Sequence, residues 1–287
     1  MEKTVAKGLK VIEALAHSDG ARTLTDLANE CGLSKSNMHR LLRTLEVCGY
    51  VRHDSAARSF SATLRPWDLG NRVFGRSALR TVAIPHLEEL AALTKETTHL
   101  SVFDGEEVIY IGKVDSVHAV RTYVNIGDRA PAYCCATGKA MLAHMPEETV
   151  RHVSQDMKRF TKNTIVSPAK LRADLERTRA QGYSMTSGEW QAGVLGFAAA
   201  IKSGTGTVLG AIGVAGPKER MQESDLEQTI AAVKRAASRI EAELALAEGT
   251  PAQDDAAEGS AAGRSAPRRK RAEPAARRSR RPNAVSA

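Results

Sequence analysis

Between Leu24 and Leu45 the chain carries the pattern that most restricts its fold: Leu-Thr-Asp-Leu-Ala-Asn-Glu-Cys-Gly-Leu-Ser-Lys-Ser-Asn-Met-His-Arg-Leu-Leu-Arg-Thr-Leu. A short helix from Thr25 to Cys31 is broken by Gly32, and Ser34 is a good N-cap for a further helix running to about Cys48. Two helices joined so tightly must cross, which requires a small inward residue (Ala28) and an apolar plug (Leu33). Met38, Leu41, Leu42 and Leu45 fall on the core side of the second helix. That leaves Lys35, Ser36, Asn37, His39, Arg40 and Arg43 outward, with Ser34 at the turn. This is a helix-turn-helix whose exposed residue types suit a DNA major groove. Arg and Asn pair bidentately with guanine and adenine, whereas Lys35 and Arg43 suit phosphates.

The neighbouring sequence completes a winged unit. Val5, Leu9, Ile12 and Leu15 recur at helical spacing and predict an amphipathic helix over 5–16. Strands over 50–54 and 59–63 flank a turn at Ser55–Arg58, a wing on which Arg52, His53 and Arg58 could meet the DNA backbone or minor groove. A linking helix is expected over 65–80.

Beyond Thr81 the texture changes to strands flanked by helices. Pro85 is expected to open a helix of about ten residues. Strands are expected at 98–103 and 106–114, joined by Asp104-Gly105, and at 182–186, 195–202 and 207–215. A further apolar segment spans 119–124. Helices fit 135–145, 147–154, 168–181 and 223–247. The expected class is therefore α+β, a small DNA-binding unit (1–64), a linker helix (65–80) and a larger domain (81–249) with a mostly antiparallel sheet.

Residues 250–287 are rich in Ala, Pro and Arg without apolar period, a composition expected to stay disordered. They carry nine Lys/Arg against four acids, so only +3 of the formal net charge of +8 belongs to the rest. This tail has two readings: a solvated solubility tail, or an arm that adds nonspecific DNA affinity through counterion release.

Four cysteines, two of them adjacent (Cys134, Cys135), and no CxxC spacing predict reduced thiols in a cytoplasm. No signal-peptide core or membrane-length apolar run is present. No His and orienting acid can be placed beside either thiol, and no zinc spacing occurs, so no catalytic residue, metal or cofactor is expected. Glu189 reads as structural.

The blocks 27–45 and Gly49-Tyr-Val51, then 98–114, Gly127–Pro131, Thr137–Ala143 and Gly204–Arg220 together resemble the IclR family of bacterial regulators over about residues 5–247. The resemblance implies a GAF-like C-terminal domain binding a small effector, often an organic or aromatic acid. It also implies dimers or tetramers on palindromic double-stranded operators. In the family's sensor signature Gly182 and Glu189 match. The acid-or-serine position falls on Thr186, with Ser187 beside it, and the Cys/Ser/Ala position falls on Gly196; Lys202 and Ser203 depart from the closing pair. Gly196 implies a ligand of different shape from the family's small keto-acids, or a weakly responsive protein. Candidate effector residues are Cys135, Ala136, Thr137 and Gly138, where helix N-terminal amides would suit a carboxylate, together with Thr186, Ser187, Val194 and Gly196. The rival reading is a small-molecule sensor or enzyme with a vestigial DNA-binding domain.

Overall fold

The structure, a computed structural model, describes residues 2–74 and 77–249. The expectation of disorder over 250–287 lies outside the described residues.

The N-terminal part runs α1 (Lys3–Ala16), β1 (Arg22–Thr23), α2 (Leu24–Cys31), α3 (Lys35–Val47), β2 (Val51–Asp54) and β3 (Ser59–Ala62). Thr23 caps α2, Gly32 closes it in the left-handed conformation (φ 66°), and Ser34 caps α3. The turn is drawn tight by Leu33 N–H donating to the Ala28 carbonyl at 2.8 Å. Val11, Leu15, Leu27, Ala28, Met38, Leu42, Val51 and Phe60 form one core, and β3 pairs antiparallel with both β1 and β2. The face of α1 differs from the expected one. Gly8, Val11 and Leu15 are buried, whereas Val5 and Leu9 are 60% and 55% exposed. The helix has apolar residues on two sides, and α2 and α3 cover only one.

The expected single helix over 65–80 is two helices, α4 (Arg65–Phe74) and α5 (Ala78–Thr94). Ser77 leaves helical geometry (φ −79°, ψ 98°), and its hydroxyl accepts the Arg80 amide, which starts a new helix. Pro85 does not open α5 but lies inside it, on the exposed side, where it cannot donate to the carbonyl four residues back.

The remaining elements are β4 (Thr97–Asp104), β5 (Glu107–Val114), β6 (Arg129–Pro131), α6 (Ala136–Leu142), α7 (Glu147–Val153), α8 (Pro168–Gln181), β7 (Ser184–Ser187), β8 (Val194–Lys202), β9 (Val208–Pro217), α9 (Lys218–Glu223) and α10 (Leu226–Gly249). The short β1, β6 and α9 were not anticipated. Six strands form one antiparallel sheet in the order β6-β5-β4-β9-β8-β7. Alternating side chains serve its two faces. Leu100, Phe197, Ile212 and Val214 pack with Leu87, Val233 and Ile240 of α5 and α10. Val108, Tyr110, Ala198 and Ala211 pack with Ala140, Met141 and Leu171 of α6 and α8. The architecture is α+β with an antiparallel sheet, as expected.

Candidate functional site

Helical periodicity puts Lys35, Ser36, His39, Arg40 and Arg43 on the exposed side of α3, opposite buried Met38, Leu41 and Leu42. Ser34 is exposed and Asn37 half-buried; the Ser34 hydroxyl is occupied by the Asn37 amide (3.4 Å) and the Ser36 hydroxyl (3.3 Å). Arg43 is tied to Glu46 at 2.9 Å. Lys35, Arg40, Arg52 and Arg58 have no carboxylate partner among the described residues, so their charge is free for an anionic partner. The wing turn is held by Ala56 and Ala57 amides donating to Asp54 Oδ1, both at 3.0 Å. Arg58 adopts a left-handed φ of 51°, and the His53 ring stacks on Phe60 at 4.5 Å. A recess of about 340 Å³ between α3 and the wing is lined by Leu24, His39, Arg43, His53, Arg58 and Phe60. Four residues named from the sequence therefore converge there. Ser34, Lys35, Ser36, Asn37, Arg40 and Arg52 do not line it.

A second cavity, also of about 340 Å³, opens on the α6 face of the large sheet. Of the residues named from the sequence, Cys135, Ala136, Thr186, Val194 and Gly196 line it; Thr137, Gly138 and Ser187 do not. Thr137, in the first turn of α6, is fully buried. Gly138 lies against the chain before the helix, where a Cβ would come 2.3 Å from the Ala132 carbonyl oxygen. The Ser187 carbonyl accepts the Asn163 side-chain amide at 2.9 Å. The rest of the wall is His99, Tyr110, Thr122, Tyr123, Val124, Cys134, Glu189, Trp190, Gln191 and Ala215, with Asp128 and Arg129. None of these was named from the sequence as an effector residue. The signals present were Glu189, which matches the signature, and the 119–124 segment, where Thr122 and Val124 are buried and Tyr123 is exposed.

The cavity's electrostatics are nearly self-contained. Lys139, fully buried, lies 2.5 Å from Glu189 and 2.8 Å from Asp174, and Asp174 also pairs with Arg177. Burial raises the Glu189 carboxyl, with Lys139 opposing it. Arg129 is held by Asp104 (2.5 Å) and Glu107 (3.1 Å). Burial pushes His99 down to about 4, so its imidazole is neutral at pH 7. Burial also pushes the Cys135 thiol up to about 11, against a hydrogen bond from the Gly138 amide, and raises Cys134. Both thiols stay protonated at neutral pH and are poor nucleophiles. Among the described residues no His/Cys/Asp/Glu group could hold a metal ion, and no helix is long and apolar enough to cross a membrane.

Residues 4–55 match the IclR helix-turn-helix domain, and residues 71–242 match the bacterial transcriptional regulator IclR C-terminal domain. The chain is 32% identical over 243 residues to the HTH-type transcriptional regulator KdgR of Escherichia coli, covering 84% of this chain and 92% of that one. It is similar to the solved IclR transcriptional regulator of Alicyclobacillus acidocaldarius (TM-score 0.73, 28% identity, 84% and 98% coverage). It is likewise similar to an IclR homologue from Microbacterium hydrocarbonoxydans complexed with 4-hydroxybenzoate (TM-score 0.74, 27% identity, 84% and 98% coverage).

Proposed function

The chain belongs to the IclR family of bacterial DNA-binding transcription regulators, and on that premise we propose how its parts divide the work. Residues 1–64 read DNA, 65–80 connect, and 81–249 sense a small effector that modulates DNA binding. The matched relatives are regulators, not enzymes, which sets aside the rival reading.

The observation that carries the DNA assignment is the cationic, exposed surface shared by α3 and the wing. Asn37 and Arg40 are the base-reading candidates, Ser36 and His39 lie on the same helix with Ser34 as its cap, and Lys35, Arg43, Arg52, His53 and Arg58 are the phosphate-facing candidates. The effector assignment rests on a partly open cavity whose wall mixes aromatic and small apolar residues with polar ones, of a size within the ~300–1,000 Å³ range of ligand sites. The 4-hydroxybenzoate complex of the Microbacterium homologue favours an aromatic acid.

The working form is a cytoplasmic homodimer or tetramer on a palindromic operator. Exposed Val5 and Leu9 on α1 and Leu64, Trp67, Leu69 and Val73 at α4 supply apolar surface for self-association. The basic 250–287 segment adds phosphate affinity.

Fluorescence anisotropy of the full chain on DNA from upstream of its own gene, against a scrambled duplex at two salt concentrations, tests the reading. Tight binding to the native duplex alone is expected. Equal binding to both duplexes, vanishing at the higher salt, overturns sequence-specific regulation.

A further inference from the structure

Apart from Glu189, whose Oε2 is ion-paired with Lys139, two side chains of the cavity wall are buried with a polar atom that meets no hydrogen-bond partner: His99 Nδ1 and Thr122 Oγ1. Their residues are only 4% and 8% exposed. A buried hydroxyl or ring nitrogen left unpaired costs stability, so an orphan pair lining one cavity calls for an explanation.

Their placement is built rather than accidental. Thr97 and His99 lie two residues apart on β4 and so share a face. The Thr97 hydroxyl donates to the Thr122 carbonyl at 3.1 Å and accepts the Ser116 amide at 3.3 Å. The chain between Ser116 and Thr122 is thereby fastened to β4 beside His99. The His99 ring is itself set edge-on to Tyr110, with centroids 5.1 Å apart.

Taking the cavity as the effector site, the reading on which this step rests, we infer that His99 and Thr122 form an anchor for an uncharged hydroxyl carried on an aromatic ring. A hydroxyl both donates and accepts, which matches a neutral imidazole nitrogen and a threonine hydroxyl. A carboxylate fits the His99–Thr122 end of the cavity poorly. It cannot donate, Lys139 is already matched by Glu189 and Asp174, and Arg129 is held by Asp104 and Glu107. The ring is implied by the aromatic and small apolar surface of Tyr110, Tyr123, Trp190, Gly196 and Ala215. Hydroxylated rings are thus selected over unsubstituted ones, whether or not an acid group sits at the other end.

Calorimetry of the full chain with toluene, p-cresol, benzoate and 4-hydroxybenzoate tests the anchor, because each pair differs by one hydroxyl. In whichever pair binds, the hydroxyl is expected to strengthen binding about tenfold. Thr122→Val, nearly isosteric, is expected to erase most of that gain while leaving the unsubstituted ring within about twofold; His99→Phe should act in the same direction. Binding without a hydroxyl preference, or a preference that survives Thr122→Val, overturns the anchor and leaves the effector cavity standing. Binding of none of the four overturns the cavity assignment together with the anchor.

Discussion

The Lys139 ammonium, with no solvent exposure, lies 2.5 Å from a carboxylate oxygen of Glu189, a residue that lines the cavity on the α6 face of the sheet. Asp174 of α8 holds the same ammonium from 2.8 Å. One lysine of α6 therefore ties the segment after β7 to α8, and the cavity wall depends on charge matched out of water. Lys139→Met leaves buried Asp174 with Arg177 and Glu189 with no ion-pair partner among the described residues. A loss of about 3–5 kcal/mol is expected in urea unfolding. A loss below about 1 kcal/mol would show that the pair contributes little.

The His99 imidazole gives a pH signature. Its folded value of about 4 lies below the ordinary 6.5, so between these values the unfolded chain binds a proton that the native one does not. Stability from this group is full above pH 6.5 and falls as pH drops towards 4, by about 3 kcal/mol in all. Subtracting the stability–pH curve of His99→Phe from that of the wild type should isolate this fall. Parallel curves would place His99 in a more solvated setting.

Two glycines separate structural from ligand-facing roles. At Gly138 a Cβ would meet Ala132 backbone atoms at 2.3–2.7 Å, which cannot give way. Gly138→Ala should cost about 2 kcal/mol or more in thermal or urea unfolding. At Gly196 a Cβ would meet Thr186 Oγ1 at 3.3 Å and Ala136 Cβ at 3.4 Å, so small shifts suffice. Gly196→Ala should stay within about 1 kcal/mol of wild type while weakening aromatic probes in calorimetry. Unchanged affinity would remove Gly196 from the ligand surface.

On DNA the two classes of contact are separable. Arg40→Ala should cost about 1–3 kcal/mol on the native operator and little on scrambled duplex. Lys35→Ala should weaken both alike and lower the salt slope by about one. Anisotropy titrations over a range of salt read both; identical behaviour of the two variants would mean that neither reads a base.

The winged part was legible because its determinants are local. Thr23, Gly32 and Ser34 bound helices whose apolar spacing points to one core, and the strands follow within a few residues. Even so, α1 was turned wrongly, since Val5 and Leu9 have the spacing of core residues without a neighbour to cover them. The cavity was half legible. Thr186, Val194 and Gly196 lie close in sequence on adjacent strands, and Cys135 and Ala136 open one helix. His99 and Thr122 arrive through pairing that no short window contains, with β4 meeting β9 so that His99 stands opposite Gly213. Gly138 goes the other way: named from the sequence with its neighbours, it lies outside the cavity lining, against the Ala132 backbone.

Register places Thr186, Gly196, Ala215 and Thr97 side by side across β7, β8, β9 and β4. Such a row is a smooth tabletop: at its centre, Gly196 and Ala215 raise nothing larger than a methyl group towards whatever lies on it. A tabletop gauges thickness and is blind to handedness, since it has no notch into which one mirror image fits and the other does not. Discrimination among flat molecules then falls to the uprights around it. Changing what this cavity accepts is then a matter of the uprights for outline and of Gly196 for thickness.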